Sequence, residues 1–414
     1  MSADCRTTIS DVAEVLMGQS PPSSACSENG DGIPFIQGNA EFNARYPRPR
    51  LRCSAPARIA EAGDLLLSVR APVGELNQAY ETTVIGRGLA ALRFSLSDRD
   101  FAWHAVAWSA PDLDRVAQGS TFVAVGRKDV ENLAIPWHGS GNHAIARALD
   151  TVDEKIANCE AAIVKLRLVR AGLLHDLLTL GLDENGQLRD PTAHPEQFQE
   201  SPVGQIPRDW CCQTLEETAV WFSGGTPSRS EASFWSGNIP FLTPKDMKAF
   251  DLTDTSEHVS EQAISAGAHL MPEDTVFLVV RGMILAHTFP VCFSRKAVAF
   301  NQDIKAVRGR KGMSNLFLAH WFAANSALFL RMTKEATHGT KKLDLSDLYR
   351  VHIGQPNTDE QDAIVECIQS FDAGLDIQVN EHAKLCDVKS GLLSDLLIGR
   401  VRVPESLLTE KVRA

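Results

Sequence analysis

The chain has 414 residues, 44% of them hydrophobic and 22% charged, with a formal net charge of -11. That length exceeds what one hydrophobic core usually supports, so more than one folded unit is expected. No apolar run approaches the ~18 residues of a membrane span, and the overall negative charge argues against indiscriminate binding to nucleic acid, which needs local positive charge.

The start, Met1-Ser2-Ala3-Asp4-Cys5, lacks a basic region followed by an apolar core, so no secretory signal is expected. The nine cysteines are scattered, with no CxxC. They read as free thiols in a cytoplasmic protein.

Residues 1–140 read as mixed strand and loop, with β-prone runs at Asp64–Val69 and Leu89–Phe94 and a helix near Phe101–Trp108. Across 141–182 the period changes. Ile145, Leu149, Val152, Ile156, Cys159, Ile163, Leu166, Arg170, Leu173 and Leu177 alternate spacings of four and three, the seam of a coiled coil. About 36 residues at 1.5 Å each make a rod of roughly 54 Å. Gly181 ends it, and 183–205, rich in Asp, Glu, Gln, Pro and Gly, reads as an exposed linker.

A second unit runs over 206–356, with a β pattern at Thr275–Val280 and a helix near Leu316–Leu330. A second rod, 357–400, carries Ile364, Ile368, Phe371, Leu375, Gln378, His382, Leu385, Lys389, Leu392 and Leu396 on its seam, and a tail, 401–414, follows. Gln378, His382 and Lys389 have two readings. The simpler is that the seam meets water there; the other is that they set the register between the rods.

The halves repeat. Gly18-Gln19-Ser20-Pro21 and Ile33-Pro34-Phe35 return 206 positions later as Gly224-Gly225-Thr226-Pro227 and Ile239-Pro240-Phe241. Ala144-Ile145, Asp153 and Gly172-Leu173-Leu174 return 219 positions later as Ala363-Ile364, Asp372 and Gly391-Leu392-Leu393. The expected class is therefore α+β: two similar mixed α/β domains separated by two long antiparallel coiled-coil helices, with approximate two-fold symmetry. The pairing residues would be Ile145, Leu149, Val152, Ile156, Ile163, Leu166, Ile364, Ile368, Phe371, Leu375 and Leu385.

No catalytic motif stands out: there is no GxxxxGK[ST], GxGxxG, HExxH or GxSxG. The [N/D]PP[F/Y] tetrapeptide of amino-methyltransferases is also missing. Several loops instead suit a polyanion. Phe42–Ala60 holds Arg45, Arg48, Arg50, Arg52 and Arg58 with no acid, and Arg295–Lys311 is similarly basic. Gly119-Ser120-Thr121 and Gly339-Thr340-Lys341-Lys342 occupy equivalent places and offer backbone N–H, hydroxyl and ammonium donors; a plain tight turn is the competing reading. Gln37 and Asn39 suit adenine, and Lys245, at the place of Asn39, suits guanine or phosphate.

At these residues the sequence resembles the DNA specificity subunit (HsdS) of type I restriction-modification systems. Carrying the resemblance are Met17–Pro22, Gly32–Gly38, Leu66–Gly74 and Gly86–Ala90 in the first half. In the second it is carried by Val203–Trp210, Ser223–Ser228, Trp235–Phe241, Asp359–Val365 and Gly391–Leu397.

The resemblance implies two target-recognition domains, each reading half of a split asymmetric DNA site, and helices that set the gap. It implies docking of two modification subunits that carry S-adenosylmethionine, with ATP and Mg on a translocating restriction subunit, and no cofactor or catalysis on this chain. The first half departs from the second in lacking the Ile206–Trp210 lead-in and any basic counterpart of Lys341-Lys342. The competing readings are an enzyme with an unrecognised active site and a coiled-coil scaffold that binds only proteins.

Overall fold

The computed structural model describes residues 6–28, 30–117, 124–335 and 339–401. Two compact units emerge. The first takes the chain up to Ala161 and resumes at Val379; the second spans Ala162–Gln378.

In the first unit one sheet has the strand order Ala13–Met17, Leu89–Phe94, Leu65–Ser68, Leu76–Gln78. A second sheet is ordered Cys26–Ser27, Leu51–Cys53, Ile33–Ile36, Thr83–Ile85, Ile59–Ala60, with Ile33–Ile36 and Thr83–Ile85 parallel. The runs Leu65–Ser68 and Thr83–Ile85 are buried on both faces, which is why they read as continuous rather than alternating apolar segments. Helix Arg99–Ser109 closes the core through Phe101, Ala102, Ala105 and Val106.

The second unit repeats this plan. Its larger sheet runs Ala219–Ser223, Ile304–Gly309, Val276–Val279, Val291–Ser294, Asp251–Leu252. Its smaller sheet runs Glu257–Val259, Ile239–Leu242, Val298–Phe300, Leu270–Met271, again with one parallel pair in the middle, Ile239–Leu242 beside Val298–Phe300. Helix Asn315–Ala324 packs on the larger sheet, and Phe329 of helix Ser326–Met332 joins the same core. The entry turn is repeated to the side chain. Asp11 accepts from the Thr8 N–H at 3.2 Å and hydroxyl at 2.6 Å, and Glu217 from the Thr214 N–H at 2.8 Å and hydroxyl at 2.7 Å. These bonds hold both carboxyls below their usual range.

The rods are helices Asn142–Thr179 and Thr358–Leu397. Each contributes to both units, because each end buries its apolar stripe in a different core. Ile145, Leu149, Leu396 and Leu397 join the first unit's core; Leu174, Leu177, Ile364 and Ile368 join the second's. Every seam position named above is buried or half-buried, including Val152, Ile156, Ile163, Leu166, Phe371, Leu375 and Leu385. Within the second unit Leu166 and Val169 line one groove with Phe371 and Leu375.

The pairing is antiparallel in each unit. In the first, Lys389 Nζ meets Asp153 Oδ1 at 2.7 Å and His382 Nε2 lies 3.0 Å from Glu160 Oε1: one heptad forward on one helix, one heptad back on the other. His382 and Lys389 thus bridge helices, and the simpler reading of them as water-facing positions is corrected. A polar side chain at a seam position can make a directed contact across the pair, where an apolar one would only pack.

The stretch 183–205 is not a free linker. Phe198–Ser201 pairs with Gly204–Pro207, burying Phe198 and Ile206. Arg189, with a side chain only 10% exposed, reaches the buried Glu360 at 2.6 Å. A buried carboxylate must be paired, and this segment supplies the cation.

Candidate nucleic-acid interface

In each unit several loops meet at one end of the two sheets. The turn Gly18–Pro21 packs on the hairpin Ile85–Leu89: the Gly18 N–H donates to Leu89 O at 2.9 Å and the Gln19 N–H to Ile85 O at 3.0 Å. A Cβ on Gly18 would lie 2.1 Å from Gly86 O, so only glycine fits. In the second unit a Cβ on Gly224 would lie 2.4 Å from Phe300 O and Asn301 O, for the same reason. The loop after Ile33–Ile36 joins the cluster through Gly86 N–H to Ile36 O at 2.8 Å, and Asn301 N–H to Leu242 O at 3.1 Å is its counterpart.

Two side-chain pairs sit on this frame. Arg87 Nε–H donates to Ser20 Oγ at 3.2 Å; Thr226 Oγ1–H donates to Gln302 Oε1 at 2.7 Å. Beside each pair runs an arginine from the end of a core strand. Val69 N–H donates to Gly88 O at 2.8 Å, which places Arg70 at the hairpin; Arg281 N–H donates to Asp303 O at 3.2 Å. Both arginines are exposed and have no acidic partner among the described residues. Unpaired cations beside polar loop tips form a surface suited to phosphate and base edges.

The residues singled out from the sequence divide. Gln37 is exposed beside Gly86 and Gly88. Asn39 donates Nδ2–H to Glu75 at 2.9 Å, and Lys245 faces Glu257 at 3.7 Å, so both already have partners. Arg48 and Arg50 are exposed.

Arg45 is corrected: it turns inward, donating to Gln78 at 2.9 Å and Asp100 at 3.2 Å and lying over the Trp103 ring at 5.2 Å. These partners come from two distant stretches of chain, which no local charge count reveals. Similarly, Arg295 is held by Asp251 and Arg308 by Thr275.

Gly119, Ser120 and Thr121 lie outside the described residues. Gly339 has φ +75 and leads through Thr340 to Lys341-Lys342. That pair docks on the Arg281 loop, with Gly282 N–H donating to Lys341 O at 2.9 Å. Lys341 faces Glu335 at 3.4 Å and Lys342 faces Asp344 at 2.9 Å, which tempers their charge.

Sequence reasoning missed Arg70, Arg281 and Gln302 as members of one constellation. Their signal was the recurrence of Val69-Arg70 as Val280-Arg281, displaced from the main repeat offsets by unequal loops.

A duplicated sheet unit with a polar loop cluster on each copy and paired antiparallel helix segments defines a two-module α+β protein. The family model for the type I restriction modification DNA specificity domain matches residues 207–385. A Methanocaldococcus jannaschii protein named as the MjaX type I restriction enzyme specificity subunit is 38% identical over 146 residues, 34% of this chain and 34% of that one. An Escherichia coli type I restriction enzyme specificity subunit is 31% identical over 162 residues, 39% of this chain and 40% of that one. The matched stretches therefore span well under half of either relative.

The fold is similar to the crystal structure of a type I restriction-modification S subunit from M. genitalium. The TM-score is 0.56 at 17% identity, covering 94% of this chain and 95% of that one. A chain from a study of complex assembly and conformational transition of the type I R-M system gives 0.56 at 16% identity, covering 96% and 98%. Residues 207–385 thus match the type I restriction modification DNA specificity domain, and the chain is similar to type I restriction enzyme specificity subunits. No helix among the described residues is long and apolar enough to cross a membrane.

Proposed function

We propose that this chain is the DNA sequence-specificity subunit of a type I restriction-modification complex acting in the cytoplasm. Each sheet unit reads one half of a bipartite, asymmetric DNA site. The long helices set the gap between the halves and dock two modification subunits. Methyl transfer, ATP use and the associated metal chemistry belong to partner subunits, and this chain contributes recognition alone.

The observation that carries this reading is the repeated loop cluster: the same frame appears in both units with different side chains at its tip, Ser20–Arg87 in one and Thr226–Gln302 in the other. A shared frame with unlike tips is what two unlike half-sites require. The surrounding free arginines supply the sequence-independent attraction to phosphate that a chain of net charge -11 must concentrate locally.

The test is co-expression with a modification subunit from the same organism, followed by mapping of methylated bases in the host genome. A bipartite motif that disappears when this chain is omitted is the expected result. Methyl transfer by the purified chain alone would contradict the reading.

A further inference from the structure

We propose that Arg87 and Gln302 are equivalent base readers, Arg87 recognising guanine and Gln302 recognising adenine in the major groove, with Ser20 and Thr226 as their positioning residues. The assignment deepens, and rests on, the DNA-specificity reading above.

The argument starts with the frame. Gly86 and Gly88 flank Arg87 because Cβ atoms there would stand 2.6 Å and 3.1 Å from Gln37 O. The tip of that hairpin therefore carries one side chain, and it is exposed. In the second unit Asn301 is buried and Asp303 half-buried, so Gln302 is the exposed side chain of the corresponding tip. Both tips are short hairpins between strands of the two sheets, anchored at each end by backbone hydrogen bonds. Such a tip holds a side chain more firmly than a long loop would.

Donor geometry follows. With its Nε–H given to Ser20 Oγ at 3.2 Å, Arg87 keeps both terminal amino groups of its guanidinium free. Those two groups form a planar fork that matches the O6 and N7 acceptors of guanine. Gln302 accepts from Thr226 Oγ1–H at 2.7 Å on one lone pair of Oε1. The other lone pair and the amide N–H₂ remain, and they match the N6 donor and N7 acceptor of adenine.

In both units a hydroxyl at the same position of the repeated turn makes the contact, although the residue it contacts differs. A hydroxyl kept as the fixed point beneath a changing tip acts by fixing the direction of that tip. Arg70 and Arg281, exposed at the base of each hairpin, are placed to take the flanking phosphates.

The experiment uses the full complex with its modification subunit and a genome-wide methylation map for each variant. Arg87→Ala should relax one guanine position in one half-site, lowering discrimination there by about tenfold, and leave the other half and the spacing intact. Gln302→Arg should shift one position of the other half from adenine towards guanine. Ser20→Ala should blur the same position as Arg87→Ala, less strongly. Arg87→Lys keeps the charge and loses the fork, so it should behave like Arg87→Ala.

A wild-type motif in both halves with Arg87→Ala and Gln302→Arg would overturn the assignment. So would full recovery with Arg87→Lys, which would make Arg87 a phosphate contact. Loss of both halves in a variant that still assembles would overturn it too, because the two readers must act separately. Failure of the unmodified complex to methylate any defined motif would instead sink the underlying reading.

Discussion

Arg170 and Asp372 face each other from the two long helices within the second unit, with Arg170 Nη2 donating to Asp372 Oδ2 at 2.7 Å and Nε donating to Oδ1. The repeat maps this pair onto another. Asp372 is the counterpart of Asp153, and Arg170 occupies the place of Lys389. In the first unit Lys389 and Asp153 meet at 2.7 Å. The same acid–base pair is thus made twice with its donors exchanged between helices, as a two-fold duplication demands.

Each side chain of the Arg170–Asp372 pair is about a third exposed, so the bidentate geometry is worth more than a surface pair and less than a buried one. Asp372→Ala should cost about 1–2 kcal/mol in urea unfolding. The charge-reversed double variant Arg170→Asp with Asp372→Arg should recover part of that loss.

The helices were legible because a four–three spacing has one structural solution, a buried stripe, and nothing local competes with it. The duplication of the mixed α/β domains was legible from motifs returning at constant offsets, Gly18–Pro21 as Gly224–Pro227 and Ile33–Phe35 as Ile239–Phe241; the order of the strands was not. Arg45 was not legible: its inward turn depends on Trp103, Asp100 and Asp150, residues brought to it only by the fold. His382 and Lys389 looked like interruptions until their partners, Glu160 and Asp153, were placed opposite. The 183–205 segment misled for a related reason. Its polar composition is that of a linker, but Arg189 answers a carboxylate more than 170 positions away.

His320 makes the second unit sensitive to acid. It is 4% exposed, stacks on Phe250 with ring centroids 4.5 Å apart, and its Nε2 has no hydrogen-bond partner among the described residues. Burial drives its pKa down to about 4, with Asp372 and Asp251 opposing that shift and Arg170 and Arg295 reinforcing it. A base whose pKa is lower folded than unfolded binds its proton in the unfolded chain first. Stability is then complete above the ordinary value of 6.5 and falls as pH drops from there towards about 4. The loss should approach about 3 kcal/mol. Urea titrations at pH 7 and pH 4.5 should show it, and His320→Leu should flatten the difference.

Glu360 anchors the second unit's entry. Its carboxylate, 7% exposed, accepts from Arg189 at 2.6 Å, from Trp210 Nε1–H at 3.1 Å and from the Leu182 N–H at 2.9 Å. The corresponding place in the first half is Gly141, which explains why that half also lacks the Ile206–Trp210 lead-in. Glu360→Ala leaves Arg189 with Asp209 at 2.9 Å as its acidic partner and strips Trp210 Nε1–H and the Leu182 N–H of their acceptor, and it should cost about 2–3 kcal/mol. Gly181→Ala should also destabilise, since φ there is +67 and a Cβ would stand 2.3 Å from Glu360 Oε1. Thermal melts of both variants against wild type check these two losses.

The helix register makes a prediction about spacing that is independent of the base readers. The pairs Asp153–Lys389 and Arg170–Asp372 fix how far each helix advances against the other within its own unit. Removing 154–160 from one helix and 373–379 from the other deletes one heptad from each and leaves all four of these residues in place. Both seams then resume in phase, because a heptad is a whole period of the a/d pattern. Seven residues at 1.5 Å shorten each helix by about 10 Å, which corresponds to about three base-pair steps at 3.4 Å each. The methylated motif should keep both half-sites and lose about three positions from the gap between them. Deleting the heptad from one helix alone should instead break the ion pairs and lower stability, and a gap unchanged by the double deletion would remove the helices from any role in spacing.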